Sequence, residues 1–195
     1  PRAIEIALCM AENVDAMTEN FRAGTMQRLG LGYEEVFKRN PRIVYASCSG
    51  FGQYGPYSDR GGLDVIIQAM SGIMSITGEP DPDGRPMRIG ASLADSISGA
   101  YMAMGILAAL AERERSGIGQ YIDISMLECM MYHTEEAITN YSITGEIPKR
   151  IGAGRPRSFP FQPFPTKDGW ISIAGVRDWQ AFAVVLGLPA LADDP

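Results

Sequence analysis

Residues 96–125, SISGAYMAMGILAALAERERSGIGQYIDIS, decide the fold. From Ala100 to Ala111 the run AYMAMGILAALA is apolar on every side of a helical wheel, and a helix apolar all round is a buried one. Ser96 to Arg115 would extend about 30 Å at the rise of an α-helix. Gly117 and Gly119 stop it, and Tyr121 to Ser125 then alternates as a strand. A buried helix that feeds a strand is half of a βαβ unit.

The alternation continues outward in both directions. Ile43-Val44-Tyr45-Ala46-Ser47 reads as a buried strand, and Tyr33 to Asn40 as a small amphipathic helix stopped by Pro41. Ile4 to Glu19 has helical spacing, and Gly24-Thr25 opens a short turn that Gly30 and Gly32 end. Asp64 to Thr77 and Met126 to Thr139 suit helices, while Gly50 to Gly62 and Thr77 to Pro86 read as loops. This pattern predicts an α/β layer with a largely parallel sheet. The composition then shifts. Arg155 to Pro165, RPRSFPFQPFP, holds four prolines in 11 residues, which makes it an extended linker rather than a helix or an internal strand. Thr166 to Ile173 reads as a turn entering a strand, and Asp178 to Leu186 as a helix. Residues 1–150 are therefore read as part of a large α/β domain, 151–165 as a linker, and 166–195 as the start of a small second domain.

Bulk chemistry narrows the function. A hydrophobic content of 46% excludes a disordered chain. A net charge of −6 opposes a general nucleic-acid binder, whose footprint is basic, yet a local pocket can still hold a small anion. Cys9, Cys48 and Cys129 are far apart and form no CxxC pair; they read as buried thiols in a reducing, cytoplasmic setting. The single histidine, His133, cannot supply a multi-histidine metal site, and no G-x-S-x-G elbow is present. It reads as a structural or surface residue. Ile97 to Ala111 is short for a membrane span. Both ends of the chain read as cuts through a longer protein.

Three segments carry candidate chemistry. Asp95 lies in GASLADSISG, residues 90–99, among small and apolar neighbours at the mouth of the long helix. The helix dipole favours a carboxylate there, either as an N-cap or as the nucleophile of a covalent mechanism. Gly50-Phe51-Gly52-Gln53-Tyr54-Gly55 matches G-x-G-x-x-G after a strand. The turn-rich run Pro56 to Gly62 follows it, where a dinucleotide site needs a helix N-terminus. A nicotinamide-dependent oxidoreductase is therefore a distant alternative. Glu19 to Gly24, ENFRAG, combines an amide, an aromatic face and a cation, a set able to stack a base and hold a phosphate; an ordinary polar turn with a buried Phe is the plainer reading. Arg88, between Pro86 and Gly90, reads as a solvated loop charge.

Residues 19–128, from ENFRAG through GASLADSISG to YIDISMLE, resemble the core of the class III coenzyme A transferases, the CaiB/BaiF family. The TKDGWISIAG segment and the closing LADDP resemble that family's entry into its small domain. The resemblance implies a Rossmann-like large domain, a linker into a small domain, and an interlaced homodimer. It implies an enzyme acting on acyl-CoA and a free carboxylic acid without metal, nucleic acid or membrane. Asp95 matches the family's nucleophile. Asn20, Phe21, Arg22 and Arg28 match residues that hold coenzyme A, and Gly61, Gly62, Leu63 and Asp64 match a stretch bordering it. The family also contains acyl-CoA racemases, the alternative activity on this fold. They commonly carry a histidine where this chain has Leu63, and moving an α-proton between two faces needs two placed groups. The resemblance therefore favours transfer over racemisation.

Overall fold

The computed structural model describes residues 2–155 and 158–192. Three parallel strands form the centre: β1 (Ala16–Glu19), β2 (Val44–Ser49) and β3 (Tyr121–Ser125), in that spatial order. Ala16 is in register with Val44, and Tyr45 with Tyr121. All of β2 is buried, as expected of a central parallel strand covered on both faces. Alternation sends its side chains to two cores. Tyr45 joins Ala11 of helix α1 (Arg2–Ala11), Val36 of α3 (Tyr33–Arg39) and Ile43 on one face. Cys48 faces the other, with Ile67 of α4 (Asp64–Met70), Ala94 of α6 (Leu93–Ser116), and Met126 and Met130 of α7 (Met126–Tyr132). The expected α/β layer with a parallel sheet is present.

Helix α6 departs from the expectation of burial on every side. It packs on β2, β3, α4 and α7, but only Ala94, Ser98, Ala109 and Arg113 along it are buried. Met104 is 54% and Leu107 66% exposed. The sheet and two short helices cover one flank, and among the described residues nothing covers the other. At 24 residues it is also long and apolar enough to cross a membrane by length and composition, which revises the shorter span read from the sequence. Its seat on the sheet is that of a core helix.

Other differences have local causes. The helical spacing read from Ile4 to Glu19 ends at Ala11, and its last four residues form β1. Ala-Met-Thr-Glu has little strand signal of its own, so pairing with β2 decides its state. The helix read over Asp64–Thr77 breaks at Gly72, whose φ of +86° ends α4 and starts α5 (Ile73–Ile76). Met126–Thr139 similarly divides at His133–Thr134 into α7 and α8 (Glu135–Thr144). The turn at Gly24-Thr25 becomes a single helical turn, α2 (Thr25–Arg28). Of the three thiols read as buried, only Cys48 is; Cys129 is half-buried and Cys9 exposed, because α1 covers the sheet with its other side.

Of the proline-rich stretch, residues 156 and 157 lie outside the described residues, and the second half pairs as a strand. β4 (Phe161–Pro165) lies antiparallel to β5 (Trp170–Ala174). The Gly175 N–H donates to the Pro160 carbonyl and the Thr166 N–H to the Gly169 carbonyl. On the β4 side ladder bonds therefore fall on even-numbered residues, and Pro163 and Pro165 turn their nitrogens away from β5, where a missing N–H costs nothing. Helix α9 (Trp179–Val185) follows, capped by Asp178, whose carboxylate accepts the Ala181 N–H at 2.9 Å.

Candidate active site

Open parallel sheets bind ligands beyond the carboxyl ends of their strands, and the main cleft lies there. It has a volume of about 750 Å³. Asn20, Phe21 and Arg22 enter it directly after β1, Cys48 to Gly50 at the end of β2, and Met126 directly after β3. Asp95 faces it from the first turn of α6, and Arg60 to Asp64 from the loop leading into α4.

Each wall has a local cause. At the end of β1, the buried carboxylate of Glu19 accepts the Phe21 N–H at 2.7 Å and fixes the turn that displays Phe21, which is 53% exposed. Asp123 of β3 accepts the Gln53 N–H at 2.8 Å, and the Gln53 side-chain oxygen accepts the Gly24 N–H at 3.3 Å. The glycine-rich loop is thereby tied both to the sheet and to the segment bearing Arg22. Gly50 and Gly62 meet backbone to backbone: a Cβ on Gly50 would stand 2.7 Å from the Gly62 Cα, and one on Gly62 2.6 Å from the Gly50 Cα. That contact brings residues 61–64 over the end of β2. A Cβ on Gly61 would lie 2.8 Å from an Arg22 guanidinium nitrogen, so Arg22 rests over bare backbone there. Arg60 lies over the Tyr57 ring, 4.1 Å from its centre. Two cations thus stand at the mouth of a cleft in an acidic chain.

Asp95 is the third residue of α6, and the N-cap position belongs to Ser92. The N-cap reading of Asp95 therefore does not hold. One N-terminal N–H of α6 is served from α4: Asp64 Oδ1 accepts the Ala94 N–H at 2.8 Å. Asp64 Oδ2 accepts from Gln68 Nε2 at 2.8 Å. Among the described residues the Asp95 carboxylate has no hydrogen-bond partner. Partial loss of hydration, and then the neighbouring Asp64 charge, push its pKa above the usual aspartate value. The residue is exposed toward the cleft, so that desolvation is incomplete. Beside it the Cys48 thiol is pushed up to about 11, first by burial and then by Cys129 and Asp95, and it stays neutral. The arrangement offers an ionisable, unpartnered oxygen nucleophile in a cleft with apolar, cationic and backbone walls. Such a group can attack an activated carbonyl.

Eight of the nine residues singled out from the sequence line this one cleft: Asn20, Phe21, Arg22, Gly61, Gly62, Leu63, Asp64 and Asp95. Arg28 does not. It projects from α2 and bonds Thr25 Oγ1 at 2.9 Å. His133 is also remote, on a smaller cavity of about 220 Å³ with Thr134, Asn140 and Lys149. Arg88 stays a loop charge bonded to the Ile89 and Gly90 carbonyls. Sequence reading passed over Ser49, Arg60, Met126 and the cleft position of Cys48. The strand-end rule marks Ser49 and Met126; Arg60 carries no signal until the glycine contact folds its loop back.

Comparison with known proteins shows the family. The family model described as CoA-transferase family III matches residues 1–195. The acetyl-CoA:oxalate CoA-transferase of Acetobacter aceti is 46% identical over 193 residues, covering 97% of this chain and 49% of that protein. The succinate–glutarate CoA-transferase of Agrobacterium fabrum is 40% identical over 196 residues, covering 100% of this chain and 48% of its own length. A solved CaiB/BaiF family protein from Brucella suis superposes with a TM-score of 0.88 at 38% identity, over 99% of this chain and 51% of its own. The chain spans about half the length of the curated relatives it matches.

Proposed function

This chain belongs to CoA-transferase family III, and from that premise we propose that its protein moves coenzyme A from an acyl-CoA thioester to a free carboxylic acid, with Asp95 as covalent nucleophile. The observation that carries the reading is the unpartnered Asp95 carboxylate on a cleft that also gathers Asn20, Phe21, Arg22 and Arg60. Phe21 supplies an aromatic face for a base, and the two arginines supply charge for phosphates. Asp95 attacks the thioester carbonyl, forms a mixed anhydride and releases the CoA thiolate. The thiolate attacks the aspartyl carbonyl, frees the donor carboxylate and leaves an aspartyl-CoA thioester. The acceptor carboxylate attacks that thioester, forming a second mixed anhydride and releasing the thiolate again. Attack of the thiolate on the acceptor's acyl carbon yields the new acyl-CoA and restores Asp95. One thioester replaces another, so the chemical cost is split into near-balanced steps. Relatives named for oxalate, succinate and glutarate support short dicarboxylic acids as one substrate class.

Assembly belongs to the same reading. Exposed Met104 and Leu107 on α6, with Ile138, Tyr141 and Ile143 on α8, form apolar surface of the kind a partner covers. They support an interlaced homodimer of the longer protein. The three free thiols of this chain suit a reducing cytoplasm. In the full-length protein, hydroxylamine added during turnover of acyl-CoA should modify Asp95, as read by mass spectrometry. Asp95→Asn should lower transfer by on the order of a thousandfold or more. Full activity in Asp95→Ala would remove the nucleophile. Light scattering across a dilution series should report a dimer that does not dissociate while folded; a stable monomer would remove the assembly.

A further inference from the structure

Gln68 has a relative exposure of 0%, and its side chain makes three hydrogen bonds. Nε2 donates to Asp64 Oδ2 at 2.8 Å and to the Ala91 carbonyl at 3.3 Å, while Oε1 accepts the Ile89 N–H at 2.8 Å. A buried amide is retained only where its polar atoms are satisfied, and here every bond but one runs to the strap that enters α6. That strap, residues 89–91, has no regular structure, and Gly90 has open space where a Cβ would stand. The Leu93 N–H does bond the Ala91 carbonyl at 2.9 Å, so Ala91 joins Gln68 to the first turn of α6. Through Asp64, Gln68 holds that turn a second time, at the Ala94 N–H. Asp95 is the next residue.

We propose that Gln68 is a positioning residue for Asp95: its amide fixes strap 89–91 and Asp64 together, and so sets where α6 begins and where the nucleophile points. The inference rests on the reading of Asp95 as nucleophile. It assigns Gln68 no contact with substrate. Asn20, Phe21 and Arg22 lie on the segment after β1, which Gln68 does not touch, and should keep their places when Gln68 is changed, so substrate binding and chemistry should separate.

The test uses the full-length protein with Gln68→Met, which is close in shape and lacks all three bonds, and Gln68→Glu, which keeps length and the acceptor for Ile89 but loses both donors. In each, kcat should fall by roughly ten- to a hundredfold, the scale of a misplaced reacting group. KM for acyl-CoA should move less than about threefold. Hydroxylamine trapping at Asp95 should slow in proportion to kcat. A purely structural amide would instead lower thermal stability and leave kcat per folded molecule intact, which overturns the inference. Equal changes in kcat and KM, or loss of soluble protein in both variants, overturn it too. If the unsubstituted enzyme gives no Asp95 adduct, the nucleophile reading itself falls. An adduct there, with normal kcat in Gln68→Met, removes the positioning role alone.

Discussion

The two ends of the parallel sheet treat the same helix in opposite ways. At the amino end of the strands, α6 finishes against a closed seam. Arg113, 7% exposed, donates to the Asp15 and Arg42 carbonyls at 3.3 and 2.9 Å and to the Asp15 carboxylate at 2.8 Å. Asn40 ties the Ala11 and Val14 carbonyls at 2.9 and 3.1 Å. Gly119 lies so close that any Cβ would fall on the Ile43 carbonyl oxygen. At the carboxyl end, α6 starts with a carboxylate that has no partner among the described residues, and Phe21 and Leu63 stand open to solvent. Hydrogen bonds close one end, while the other holds groups in readiness. Unpaired or like-charged groups are costly to keep, so they belong where a ligand can use them.

This contrast can be broken at either end. The largest effect should be Asp95→Asn, which removes transfer without unfolding the protein. Its folded pKa is raised, so the ionised form opposes folding at pH values above the ordinary aspartate pKa, and that opposition fades as pH falls. At neutral pH the variant should therefore match or exceed the parent in Tm by calorimetry. A drop of many degrees would make Asp95 structural and erase the contrast. Next, Gly119→Ala at the closed end should cost about 3 kcal/mol, because backbone must move. Denaturant titration should show it with kcat per folded molecule unchanged. Arg113→Met should cost about 2 kcal/mol through its lost bonds to carbonyl oxygens; lost activity without lost stability would show that the two ends are not separable. On the proposed mechanism the attacking carboxylate is ionised, so the acid limb of kcat/KM should sit above the usual aspartate value; a limb below it would mean that Asp64 and burial do not act on Asp95. The smallest effect is a null one. In heavy water, a 2-methylacyl-CoA should gain no deuterium at its α-carbon, because Leu63 carries no proton. Rapid exchange would favour racemisation.

The legible parts of the molecule were those whose signal is local. The alternation of YIDIS, the glycines after Arg115 and the apolar run of α6 each act within a few residues, and each gave its element. β1 was invisible because Ala16–Glu19 becomes a strand only by pairing with β2, 28 positions on at Val44. The exposure of α6 was misread for a related reason: an apolar helix states that it needs cover, and the described residues supply it on one flank only. At the site, Asp95 and ENF were readable from their motifs. Ser49 follows only from its place at the end of β2, and Arg60 from neither motif nor strand end, since only the folded loop brings it to the cleft. Gln68 was hidden because its partners are mostly backbone atoms, which leave no trace in residue type.

The contact between Gly50 and Gly62 acts as a caliper. One jaw is the end of β2 and the other is the loop that carries Leu63 and Asp64, and the gap between them is set by two hydrogen atoms in place of side chains. Enlarging either jaw moves the far one, so a methyl group added at one position cannot be absorbed by trimming the other, which is already bare. A saturation library should therefore show two intolerant positions that no second change at the partner rescues. Variants that survive should do so by opening the loop, and would reveal themselves first as a change in which acyl chains fit.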